Sequence, residues 1–234
     1  MKRSFLIPTV CFGLIIFGGI FSSTTYAATR TVDTLADNGG LTACTAAASD
    51  CSLRGAISGS ALNDTINFDP SLNGGTITLG SLISIPRGMS IVGPGADLMT
   101  ISGGNTTSIF EAVGIGVVTV SFSGLTFANG NGVGGSNGGQ GGAIEINSIS
   151  TANFDRVVFR DNSAAVLAGA LLCFANACRI SNSTFSNNSA PGASVLYGGF
   201  GLTEFSNTTI TGNTETSSFY GCLYMRGNSV FRNT

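Results

Sequence analysis

Between residues 150 and 215, polar and apolar residues alternate at period two in short runs broken by Ser, Asn and Gly, a pattern that predicts β-strands joined by tight turns. Three of these runs superimpose: TANFDRVVFRDN (151–162), ACRISNSTFSNN (177–188) and LTEFSNTTITGN (202–213). Phe154, Ile180 and Phe205 form one column, Phe159, Phe185 and Ile210 a second, and Asn162, Asn188 and Asn213 a third, at steps of 26 and then 25 residues. A fixed period of this length marks a stacked-repeat fold. Strands in place of helix pairs make the unit one coil of a parallel β-solenoid. VSFSGLTFANG carries Phe122, Phe127 and Gly130 in the same columns one coil earlier, and the small-residue motifs GGAI (141–144), AGAL (168–171) and GASV (192–195) precede the copies. Small residues suit a corner where backbone meets backbone.

Stacked coils turn columns into ladders. The Phe/Ile columns are expected to form a continuous core, and the Asn column to stack amide on amide, each side chain bonded above and below. Asn182, Asn207 and Asn228 read as a second ladder, with Arg156 in that column one coil earlier. These are structural residues. Residues 65–234 have room for about seven coils and a rod of roughly 35 Å at the ~4.8 Å strand spacing. The glycine-rich stretch GNGVGGSNGGQGG (130–142) reads as a flexible loop bulging from the wall. It contains GxGxxG without a following helix, and Ala143 stands where a calcium-binding nonapeptide needs Asp, so neither motif holds.

The GGAI-type motif paired with a later FxxN motif (FRDN, FSNN, and ITGN with Ile for Phe) resembles the polymorphic outer-membrane-protein repeats of bacterial surface proteins, which form right-handed parallel β-helices. Upstream, CSLRGAI (51–57), DTINFD (64–69), GTITL (75–79) and IVGPGADLMTISG (91–103) resemble the N-terminal module of secreted bacterial β-helix proteins, whose signature reads CSLREAI. The resemblance spans residues 30 to 234. It implies an all-β, right-handed parallel β-helix of pectate-lyase-like architecture with a short N-terminal capping helix, and it says more about fold than about function. One departure stands out: Gly55 occupies the position of the signature Glu, which removes the reciprocal half of a capping box. Ser52 can still cap a helix near 52–61, with Leu53, Ala56, Ile57 and Ala61 as its apolar stripe, although Gly costs about 1 kcal/mol there relative to Ala.

The chain divides into a signal peptide (1–27), an N-terminal cap (28–64) and the β-helix coils (65–234). Lys2 and Arg3, an apolar run from Phe5 to Phe21 and the small-residue end SSTTYA give the first segment a secretory layout with cleavage after Ala27. The expected localisation is therefore extracellular or on a bacterial cell surface. What remains holds eight arginines against twelve carboxylates with no basic cluster, so nucleic acid is excluded as a partner. Cys44 with Cys51, and Cys173 with Cys178, bracket short loops and are expected to form disulfides. Cys222 is left over, in a column of small residues with Ala143, Ala170 and Ser194, as a buried free thiol.

An enzyme reading, such as a polysaccharide lyase or hydrolase, finds little support. The chain has no histidine, and its best charged cluster (Asp155, Arg156, Arg160, Asp161, with Glu204 in the column of Asn153 and Arg179) stacks no second carboxylate beside either Asp. No cofactor or metal is implied. The absence of Trp and the presence of only Tyr197, Tyr220 and Tyr224 after residue 27 weaken a carbohydrate-binding module. A structural or adhesive surface protein is the leading expectation, with surface glycans or other surface proteins as partners. The last copy, YGCLYMRGNSVFRNT, places Phe231 in register, Arg226 in the apolar column of Phe154 and Thr234 where Asn should stand. That predicts a truncated, fraying last coil prone to self-association through its edge.

Overall fold

The computed structural model describes residues 27–114, 118–217 and 220–234. The expected signal peptide lies, but for Ala27, outside the described residues. The chain is a parallel β-helix. Each coil visits three walls in the same order, and every strand pairing within the walls is parallel. The first wall has eight strands, Thr29–Val32, Thr65–Phe68, Met89–Val92, Thr119–Ser123, Thr151–Asp155, Ala177–Ser181, Leu202–Ser206 and Ser229–Arg232. The second runs from Gly75–Thr78 to Thr209–Thr211 and the third from Ile83–Ile85 to Leu223–Met225, with six strands each. Seven strand-to-strand steps along the first wall give a stack of about 34 Å.

Period-two alternation turns one residue set inward. Phe122, Phe154, Ile180 and Phe205 pair rung to rung on the first wall, and Phe127, Phe159, Phe185 and Ile210 on the second. The rings stack along the axis: Phe122 on Phe154 at 5.2 Å and Phe159 on Phe185 at 4.8 Å, with Phe154 edge-on to Phe159 at 5.7 Å. The third wall closes the core with Phe110, Ile144, Leu171 and Leu196. The corner before it is tight: a Cβ added at Gly142 would overlap the carbonyl of Gly169.

Two registers differ from expectation. Leu171 pairs with Leu196, so the third corner motif is ASVL (193–196), one residue later than GASV, and Cys222 faces Val195. In the last coil Phe231 pairs with Phe205, a step of 26 rather than 21 residues. Arg226 therefore leaves the apolar column for a turn, and Asn233, not Asn228, continues the ladder of Asn182 and Asn207. The last coil thus keeps the ordinary repeat step, the same 26 residues that separate Phe154 from Ile180.

The N-terminal segment is built into the stack. Thr29–Val32 pairs with Thr65–Phe68 as the first rung, and helix Leu53–Gly59 covers that end with Leu53, Ala56 and Ile57 buried. Ser52 caps it, its Oγ accepting from the Gly55 amide at 2.9 Å. Ala61 falls outside the helix and is exposed. Gly55 has a reason beyond propensity: an added Cβ would overlap the Leu41 carbonyl oxygen, which accepts the Ser52 amide. A closer-packed chain crosses the helix where a Glu would otherwise stand. Arg54 fastens the cap to the first coil, donating to Asp37 at 2.6 and 2.9 Å and to the Ser81 and Leu82 carbonyls.

Candidate functional site

Two buried polar devices cross the coils. The first is the ladder of Asn162, Asn188 and Asn213 at the turn after the second wall. The Nδ2 of Asn188 donates to the Phe159 carbonyl (3.0 Å) and to Asn213 Oδ1 (2.9 Å), while its Oδ1 accepts from the amide and the Nδ2 of Asn162 (3.1 and 2.9 Å). Asn162 repeats the pattern one coil earlier, toward Phe127 and the Gly130 amide. Each amide is donor and acceptor at once, so the unit propagates without a charged end. The second, exposed ladder of Asn182, Asn207 and Asn233 sits at positive φ, 49–51°, a region Asn tolerates better than most residues. Arg156 holds the same left-handed position in the preceding coil (φ 51°).

The second device is a carboxylate pair. Glu111 and Glu145 are paired on adjacent rungs of the third wall, facing outward. They are nevertheless buried, Glu111 to 7 % exposure and Glu145 completely, because the glycine-rich segment 131–140 folds back over them. This corrects the expectation of a loop bulging from the wall. Glu111 Oε1 accepts from the Ser136 amide (3.0 Å), the Ser136 hydroxyl and Asn147 Nδ2 (3.1 Å). Glu145 Oε2 accepts from the Asn137 amide (3.2 Å) and Nδ2 (2.9 Å). Gly135 lies against the Glu145 carboxyl so closely that a Cβ would overlap it. Glu145 Oε1 is buried with no hydrogen-bond partner. Burial pushes the Glu145 carboxyl above the ordinary carboxylate range, and the charge of Glu111 adds to that, against the hydrogen bonds from Asn137 and Asn147. The groups turned toward the pair are N–H and O–H donors, which tie down a strap rather than coordinate a cation. Among the described residues no group of three or more His, Cys, Asp or Glu side chains is placed to hold a metal ion.

The charged cluster singled out in the sequence sits outside and is paired. Asp155 meets Arg156 at 2.9 Å, Arg160 meets Asp161 at 2.8 Å, and Glu204 lies between Arg179 (3.8 Å) and Arg232. Although partial burial raises the Asp155 carboxyl, hydrogen bonds from Asn182 and Ser181 and the Arg156 charge lower it further, to a net value below its ordinary one.

Cys44 and Cys51 form a disulfide in the cap. Cys173 and Cys178 do not; both are free, buried thiols. Cys173 is an inward position of the third wall and Cys178 of the first, so the two meet inside the core at the corner between those walls. Burial pushes the Cys178 thiol up, and its contact with Cys173 adds to that. Cys222 is exposed, not buried as its column predicted.

The chain matches no protein-family model, no curated protein and no solved structure. The Glu pair escaped the sequence because the insert stretches its step to 34 residues, outside the repeat. The triplets FEA (110–112) and IEI (144–146), apolar–Glu–apolar in strands of period two, were the available signal.

Proposed function

We propose that this chain is a secreted or cell-surface β-helix with a structural and adhesive role, a stiff rod that displays turns and loops and catalyses nothing. The observation that carries the reading is where its polar groups are engaged: the buried Asn ladder bonds coil to coil, and the outer carboxylates at 155, 161 and 204 are matched by arginines. The Cys44–Cys51 disulfide suits an oxidising compartment, in agreement with the secretory layout of residues 1–27. Among the described residues no helix is long and apolar enough to cross a membrane.

The test is fractionation of a bacterium expressing the full chain, followed by attachment of the purified protein to glycan- and protein-coated surfaces. Surface or medium localisation with saturable attachment supports the reading; retention in the cytoplasm contradicts it.

One observation favours the rival, a polysaccharide-cleaving enzyme: two carboxyls on adjacent rungs, one of them raised above the ordinary carboxylate range by burial. The strap weighs against it, since Gly135 occupies the space a sugar would need. No unsaturated or reducing ends are expected from polygalacturonate, with or without calcium. Cleavage abolished by Glu145→Gln, or by replacing Arg156 or Arg160, would establish the enzyme instead.

A further inference from the structure

Two exposed aromatic rings of neighbouring coils border one cleft. Phe200 is 75 % exposed, the highest value for a large hydrophobic side chain among the described residues, and Phe174 in the neighbouring coil is 37 % exposed. Both border a cleft of about 340 Å³ on the turn that leaves the third wall, a volume within the range of small-ligand sites. The cleft has a simple origin. Cys173, Gly198 and Met225 are stacked partners, so the residues that follow them, Phe174, Gly199 and Arg226, stack as well. A Cβ at Gly199 would meet the Phe174 ring at 3.0 Å, so that ring lies over Gly199 as one side of the slot, and Phe200 and Arg226 border the rest.

The slot has a definite chemistry. The Arg226 guanidinium lies 4.2 Å over the Phe200 ring, which orients it, and it makes no ion pair among the described residues. No carboxylate lines the cleft, and the exposed side-chain amide of Asn176 at its rim has no hydrogen-bond partner among the described residues. The apolar surface continues along the wall: Tyr197 meets Phe174 edge-on at 6.1 Å, Tyr224 stacks on Tyr197 at 5.1 Å, and Tyr220 meets Tyr224 at 4.6 Å. Of the three tyrosines, Tyr197 touches a cleft residue, and Tyr224 and Tyr220 carry the aromatic surface on along the wall. A planar cation without a counter-ion takes a carboxylate through two parallel N–H bonds, aromatic rings take the apolar face of a ring, and a free amide takes a hydroxyl. A sugar ring bearing a carboxylate presents all three.

We propose that the cleft formed by Phe174, Gly199, Phe200 and Arg226 binds a carboxylate-bearing pyranose within a linear acidic glycan. The proposal rests on the adhesive reading and supplies its ligand class. It is tested by calorimetric titration of the full chain with a hyaluronan hexasaccharide, its carboxyl methyl ester, 3′-sialyllactose and a polyglutamate peptide. Saturable 1:1 binding of the hexasaccharide is expected, lost in the ester, weakened at least tenfold by Arg226→Gln and by Phe200→Ala, and unchanged by Arg156→Gln. Both weakening substitutions are at exposed positions, and an unchanged thermal midpoint establishes that the variants fold. No binding of either saccharide, full binding by the ester, or full binding by Arg226→Gln overturns the proposal. Tighter binding of sialyllactose overturns the internal-sugar assignment, and Arg226-dependent binding of the peptide alone makes the cleft a protein contact. Attachment that persists while the hexasaccharide fails to bind removes the cleft and leaves the adhesive reading standing. Binding of the hexasaccharide without attachment does the reverse.

Discussion

The Asn162–Asn188–Asn213 ladder and the Glu111–Glu145 pair solve the same problem, polar side chains buried on adjacent rungs, in opposite ways. In the ladder every side chain offers what its neighbour lacks, so the arrangement repeats at the coil period with its buried groups satisfied. Two carboxylates offer only acceptors. They need donors, which the strap at 136 and 137 supplies together with Asn147 of the wall, and one oxygen of Glu145 still goes without. A neutral ladder can extend through any number of coils; a charged pair stops after two and draws in a non-periodic segment to cover it. The ladder should therefore be the source of stability and the pair a local tie that weakens the coil it decorates.

The largest effect should come from breaking the ladder at its middle. Asn188→Ala strands the Asn162 amide and the Phe159 carbonyl in the interior and is expected to lower stability by ~3–5 kcal/mol in urea unfolding. A loss under about 1 kcal/mol would mean that water or a shifted turn replaces the amide. Gly135→Ala comes next: its Cβ has no room beside the Glu145 carboxyl, and a cost of ~2 kcal/mol is expected. Faster proteolysis within 131–140 should accompany it, the coils themselves staying resistant.

Glu145→Gln should act in the other direction. Because burial raises the folded-state value of Glu145 above its unfolded one, the folded chain binds the proton more tightly, so this group's contribution favours folding as pH falls and opposes it as pH rises through the folded value. The Gln variant carries no such charge. It should be more stable than the parent by ~1–2 kcal/mol above that value, and the advantage should shrink on acidification. A gain that is constant with pH would contradict this. The smallest change belongs to the exposed ladder. Asn207→Ala loses bonds to Asn182 and Asn233 that water can replace, and should cost about 1 kcal/mol, chiefly from placing Ala at positive φ.

What could be read from the sequence follows the same division. Ile180 and Phe205, or Asn162 and Asn188, recur because each coil presents its neighbour with the same environment, so periodicity alone located the core and the ladder. Ser52 as the cap of a helix at 53–59 was legible from local chemistry. Glu111 and Glu145 were not, because the insert separating them has no repeat, and neither was Gly55, whose reason is a carbonyl fourteen residues away. Phe231 was misplaced for a different cause: the sequence reading gave the last coil a step of 21 residues, whereas the ordinary repeat step of 26 from Phe205 marks Phe231 and the same step from Asn207 marks Asn233. The short spacing of Cys173 and Cys178 did place the two thiols together, but not as the outer loop staple expected: both are free and buried in the core.

Native-state hydrogen exchange tests the central contrast most directly, comparing the amides of Asn162 and Asn188 with those of Ser136 and Asn137 in the parent, in Asn188→Ala and in Glu145→Gln. The ladder amides should exchange only through opening of several coils, and Asn188→Ala should lower protection across the coils on both sides of residue 188 together. Glu145→Gln should alter exchange at 136 and 137 alone. Protection lost only at residue 188 in the first variant, or spreading into the ladder in the second, would contradict the account.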